Sequence, residues 1–354
     1  MKHPVSAPAF FLETPTPAGR ILLWSQLTAG KENTLTLLPW PGGQGWLAGL
    51  WEQASSLGSQ RLLDPDEPER LAGLMAPGLR VYCTRKTPPP GLMLGVCEQQ
   101  PRPLFPLPGE QRETMTVLCK KERREERRTA RLMAAAVSLL AENRRLQREV
   151  LQKEKLQKAV ENLSRRETTP HSPGGETMRF LTAMTPQGLR CPTSTLPALT
   201  DRAILIEDPW GGVAPVVLGL LRQRLKDRGE RLITCPSPLF PREVEALILP
   251  DRRLCLVTHT PLCPLPGLPN RQRAIHAGRF APEGELERYR QRMRLLRRMA
   301  AALLAESARA AASAAAARQT LASLWAPVPV QMEEELLALG LRQLGQAGES
   351  PEEA

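Results

Sequence analysis

The chain repeats itself, and that limits the folds open to it more than any single motif does. Shifted by 169 residues, positions 11–43 meet 180–212 without a gap. Phe11-Leu12 fall on Phe180-Leu181, Thr16-Pro17 on Thr185-Pro186, and Gly19 on Gly188. Ser25, Leu27 and Ala29 fall on Ser194, Leu196 and Ala198, and Gly42-Gly43 on Gly211-Gly212. Further along the offset becomes 173: Pro65, Pro68 and Pro77 meet Pro238, Pro241 and Pro250, Arg80 meets Arg253, and Thr87-Pro88 meets Thr260-Pro261. An ordered series of this kind is expected of a duplicated domain. The length, 354 residues, suits two domains.

Each copy has the same internal order. A short apolar run (34–38, 203–206) leads into a Gly-Gly turn and then a helical stretch (46–57, 216–228). Gly229 follows the second of these, where a helix-ending glycine belongs. Runs at 231–235, 253–258 and 79–84 read as further strands. Short apolar runs separated by helices point to βαβ units and a parallel sheet in each half. Residues 113–166 and 285–325 carry no Pro or Gly and read as long helices, the first a single helix or a hairpin. Leu132, Leu139, Leu146 and Val160 give the first a partial coiled-coil seam, broken at Lys153. The expected division is a first domain over 1–163, a polar Pro/Gly linker over 164–177, a second domain over 178–345 and a frayed tail over 346–354.

A strand, a glycine turn and a helix form the layout of a phosphate-binding P-loop, G-x-x-x-x-G-K-[ST]. Glycines let backbone amides curl round the phosphates, and the helix N-terminus adds partial positive charge. Lys meets the β- and γ-phosphates, and Ser/Thr holds Mg²⁺. The turns here run 38–47 and 207–216. The Lys position falls on Gly45 and Ala214, and the hydroxyl position on Trp46 and Pro215. Both halves therefore lack the cation and the metal ligand, and Glu207 and Asp208 add negative charge where an anion would approach. The candidate binding residues are Gly42, Gly43, Gln44, Gly45 and Trp46 in the first loop and Gly211, Gly212, Val213 and Ala214 in the second. Alternatively, each Gly-Gly pair is a plain left-handed turn and Trp40 and Trp46 are packing residues rather than base-stacking ones.

The second half resembles the C-terminal half of a family of bacterial tandem P-loop ATPase-like proteins of unknown role. The resemblance rests on Phe180-Leu181 with Pro186 and Gly188, the 203–229 unit, Cys235-Pro236, Ile248-Leu249-Pro250, and Leu256 through Pro261. The first half matches more weakly. The resemblance implies two tandem P-loop NTPase-like domains, here with long basic helical extensions. It implies a GTGKST-like loop in each half, which this chain does not keep. The family's second acidic position falls on Arg85 and Thr258.

Three functions follow as expectations. The first is a pseudo-NTPase, a non-hydrolytic scaffold or interaction protein with a protein partner on its helical extensions and no cofactor. The second is an ATP/GTP-binding ATPase with a nonstandard phosphate site and no conventional Mg²⁺ coordination, in which Lys31 or Arg85 replaces the missing cation. The third is a polyanion (nucleic-acid) binder. Its basis is a net charge of +11, with 15 Lys/Arg against 7 Glu over 120–166 and a run of arginines over 288–298. Only Tyr289 offers a stacking ring near those charges. Cys255, His259 and Cys263 suggest zinc by residue type, but Leu254–Val257 reads as a buried strand in which Cys is a small hydrophobe. Seven scattered cysteines and no apolar leader read as a cytoplasmic protein with reduced thiols and no membrane segment.

Overall fold

A computed structural model describes residues 7–28, 33–37, 45–83, 109–167, 174–263, 265–282, 284–324 and, apart from 336, 339 and 343, 334–345. The first half contains β1 (Ala9–Phe11), β2 (Glu13–Thr16), β3 (Gly19–Leu22), α1 (Trp24–Thr28), β4 (Asn33–Leu37), α2 (Gly45–Ala54), β5 (Gln60–Leu63), β6 (Leu71–Ala76) and β7 (Leu79–Cys83). Two helices follow, α3 (Gly109–Glu149) and α4 (Lys153–Glu167). The second half contains β8 (Glu176–Met178), β9 (Ala183–Thr185), β10 (Gly188–Arg190), α5 (Thr195–Leu199), β11 (Arg202–Glu207), α6 (Ala214–Asp227), β12 (Leu232–Pro236), β13 (Val244–Leu249), β14 (Leu254–His259), β15 (Arg271–His276) and α7 (Arg290–Ser323).

The two sheets are wired alike. The first runs β1-β5-β6-β7-β4 and the second β8-β12-β13-β14-β11, with β15 added beyond β11. Small details recur as well. Thr16 Oγ1 donates to Gly19 O and Thr185 Oγ1 to Gly188 O, and both glycines have φ near +100°. The sheets are mixed rather than parallel, which corrects the expectation from sequence. β6 and β13 run antiparallel to both neighbours. The reason is chain length. Only 237–243 joins β12 to β13, and only 250–253 joins β13 to β14. A parallel crossover needs about a dozen residues.

The halves meet about an approximate two-fold. Phe11 N donates to Phe180 O and Phe180 N to Phe11 O, at 3.0 and 2.9 Å. These are the residues paired by the 169-residue shift. Both rings are buried, in a cluster with Ala9, Leu63 and Ala183. Thr195 Oγ1 also donates to Ala9 O, and Met184 N donates to Thr14 Oγ1.

α3 and α7 pack antiparallel along their length. Asn143 Nδ2 donates to Met293 O, Ser307 Oγ to Thr129 O, and Arg318 reaches Glu122 and Glu126. The buried seam of α3 is Thr129, Met133, Ala136, Leu140, Asn143 and Gln147, a 4-3-4-3-4 spacing. It faces Met293, Ala300, Ser307, Ala314 and Leu321 at strict sevens. Leu132 and Leu139, expected on the seam, are only half-buried, while Leu146 and Val160 are buried. The predicted seam misses at Leu132 and Leu139 because Met133 and Leu140, one residue along, take the contact positions, with Ala136, Asn143 and Gln147 between and beyond them.

The last helices exchange sides. α4 lays Leu156, Val160 and Leu163 against α6 in the second half's core. Leu337 and Leu344 join α2 in the first half's core. Residues 164–167, read as linker, are the last turn of α4, Ser164 is buried, and 176–178 form β8. Each core is thus completed by chain from the other half. Replacing Phe180 by Ala is expected to cost about 3–5 kcal/mol, and replacing exposed Leu295 no more than about 0.5 kcal/mol. Urea denaturation of the two variants checks this.

Candidate functional site

β11 carries the chain to Glu207, and α6 starts at Ala214 with Pro at its first turn, where the missing N–H costs nothing. The turn between them is held by its own chain. Asp208 is fully buried. Its Oδ1 accepts from Gly211 N at 3.0 Å, and its Oδ2 accepts from Val213 N and Ala214 N at 2.7 and 2.8 Å. Gln147 of α3 accepts from Gly212 N through Oε1 at 2.7 Å and donates from Nε2 to Asp208 Oδ1 at 2.9 Å. The consecutive amides 211–214 all point at oxygens of the protein itself. Val213 and Ala214 are orphan donors of a helix start, and with the two turn amides before them they are groups that bind an anion when one arrives.

The glycines have separate local causes. Gly211 has φ +77°, in the left-handed region. A Cβ on Gly212 would lie 2.7 Å from Gln147 Oε1 and 3.0 Å from the carbonyl oxygen of Arg144, so α3 leaves no room for one. The long helices then clamp the turn. Arg148 Nε donates to Gly212 O, and Arg144 and Arg148 both reach Glu243. The Arg144 guanidinium also stacks 3.3 Å over Phe240. From α7, Arg297 donates to Pro209 O and sits 5.0 Å from the Trp210 ring. Val213 and Ala214 are buried. Glu207 Oε2 lies 2.6 Å from His276 Nδ1.

In the first half, Gly45 opens α2. Trp46 is 4% exposed and packs with Leu74 and Val81, which is the core role and presents no free ring face for a base. Gly42, Gly43, Gln44, Lys31 and Arg85 lie outside the described residues.

Corresponding cavities lie at the carboxyl ends of the parallel strands, where sheets of this kind bind ligands. The first-half cleft has about 1460 Å³ and is lined by Glu13, Asp64 and Cys83. The second has about 90 Å³ and is lined by Thr182, Ser237 and Thr258. Leu140, Arg144 and Phe240 close in on the smaller one. In the larger, Arg20 and Arg318 share Asp66, and Arg318 also holds Glu122 and Glu126. Burial opposes the charge of Arg20, but Asp66 and Glu13 outweigh it and hold its pKa up. Burial, with Asp66 beside it, raises the Asp64 carboxyl to about 6, and burial raises the Cys83 thiol to about 12.

The local repeat gave no sign of Gln147, Arg144 or Arg148, which lie far from the turn in sequence; a polar residue on the α3 seam was the available clue. The buried Arg20–Asp66–Arg318 cluster also went unread, since its members are separated by 46 and 252 residues. Cys255 is buried in β14, and among the described residues no group of three His, Cys, Asp or Glu is placed to hold a metal. Among the same residues no helix is long and apolar enough to cross a membrane. Comparison with protein-family models, curated proteins and solved structures gave no match.

Beside the smaller cavity, Glu245 accepts from Thr182 N and Oγ1 at 3.2 and 2.6 Å. Burial raises its carboxyl from 4.5 to about 8 in spite of these bonds. The folded state keeps a proton that the unfolded chain loses near 4.5, so this contribution to stability is full at low pH and is lost as pH rises toward about 8. The thermal stability of the wild type is expected to fall from pH 6 to 8, with Glu245→Gln flattening that slope.

Proposed function

We propose that this chain is a non-hydrolytic pseudo-NTPase of the tandem P-loop ATPase-like kind it resembles, a scaffold whose second phosphate cradle has become an internal joint. One observation carries the reading: Asp208 and Gln147 supply oxygens to amides 211–214, the donors a nucleotide phosphate would need. A phosphate entering there would have to displace a buried carboxylate and would meet no lysine, since Ala214 stands at that position. Like charges at one helix start repel, and the carboxylate is already in place. The turn instead ties β11 to both long helices, as a structural part does. Free cysteines, three of the six described ones buried, accord with a reducing, cytoplasmic setting.

Isothermal titration with Mg-ATP, together with a phosphate-release assay, tests this. The expected result is no binding heat and no turnover in the wild type. Asp208→Ala is expected to remain inactive while losing about 1–2 kcal/mol of stability, because helix-start donors lose their acceptor. Mg²⁺-dependent ATP turnover that disappears in Gly211→Val would overturn the proposal.

A further inference from the structure

We infer that the first-half cleft is the docking groove of the scaffold, and that it takes an acidic amphipathic helix from a partner protein. This names a partner class for the reading proposed above and rests on it. The cleft, at about 1460 Å³, exceeds the roughly 300–1000 Å³ of ordinary small-molecule sites. Its inner charges are already engaged. Arg20 and Arg318 are tied to Glu13, Asp66, Glu122 and Glu126, and Arg70 to Glu67. A small ligand would find few convergent polar groups at the base.

The rim is different. Lys120, Arg123, Arg127 and Arg131 line the cleft from α3, all exposed, with no acidic partner among the described residues. Their spacing of three, four and four puts them on one stripe of the helix, about 16 Å long at 1.5 Å per residue. Behind that stripe the wall is made of small apolar side chains: Ala130 and Ala134 from α3, and Ala311, Ala315 and Ala322 from α7. An alanine wall between two helices lets a third helix approach closely, and the cationic edge fixes which helix is accepted. A partner with acidic residues on one edge and an apolar stripe on the next matches both features. Nucleic acid fits less well. Among the described residues that line it, the one aromatic is Tyr82, which is 1% exposed, so these residues offer no ring on which a base could stack.

Fluorescence anisotropy tests the groove. The probes are a fluorescein-labelled Glu/Ala/Leu amphipathic peptide of about 20 residues, roughly 30 Å as a helix, and labelled oligo-dT of about 20 nucleotides. The peptide is expected to bind more tightly than oligo-dT. The triple variant Arg123→Glu, Arg127→Glu, Arg131→Glu is expected to weaken the peptide about tenfold or more, since like charges would then face each other. A charge-matched control on exposed α4 positions, Lys153→Glu, Lys155→Glu, Lys158→Glu, is expected to stay within about twofold. Ala134→Trp, which fills the wall without changing charge, should weaken the peptide as well. Equal losses in the two triple variants, tighter binding of oligo-dT, no peptide binding, or indifference to Ala134→Trp would each overturn the inference. Mg-ATP titration in the same samples separates the two claims: nucleotide binding sinks the scaffold reading, whereas a failed peptide assay without nucleotide binding sinks only the groove.

Discussion

The amides that open α6 converge on a carboxylate supplied from within the chain, and much of the second half is arranged around that contact. Asp208 is fully buried, so its charge needs donors, and Gly211, Val213 and Ala214 provide them. Gln147 takes the remaining amide and one carboxylate oxygen, and this fixes how closely α3 approaches. That approach in turn requires glycine at 212 and seats Arg144 against Phe240 and Glu243. A buried carboxylate with this many donors is a locked part, since removing any partner leaves an unpaired polar group in the interior.

The joint between the two similarly ordered sheets accounts for a helix from one half reaching a turn in the other. The Phe11–Phe180 bridge sets the halves about an approximate two-fold, and α3 and α7 cross antiparallel over the junction. Each half then hands its last helical segment to its neighbour, α4 to α6 and residues 337–344 to α2. Symmetry of fold has not kept symmetry of site. The same position at the strand ends is an open cleft in one half and nearly filled in the other.

Several strands and the helix after each glycine turn were legible because their patterns are local: short apolar runs, one of them before each turn, and a helix-stopping Gly229. β6 and β13 were not read as strands, and with them the antiparallel direction was missed, although 237–243 and 250–253 are too short for a parallel crossover. The α3 seam was misplaced by one residue. Leu132 and Leu139 look like contact positions, but their neighbours Met133 and Leu140 occupy them, and only the facing helix decides. Asp208 was legible as an unfavourable charge in a phosphate cradle. That it fills the cradle depended on the fold of the turn, and that Gln147 completes it depended on a contact across 61 residues.

Hydrogen exchange at the amides of Gly211, Gly212, Val213 and Ala214, followed by NMR with and without Mg-ATP, tests the filled cradle most directly. Donors already bonded to Asp208 and Gln147 should exchange slowly in the free protein and stay unchanged when nucleotide is added. Rapid exchange in the free protein that becomes slow with Mg-ATP would mean that the cradle is vacant and still grips a phosphate.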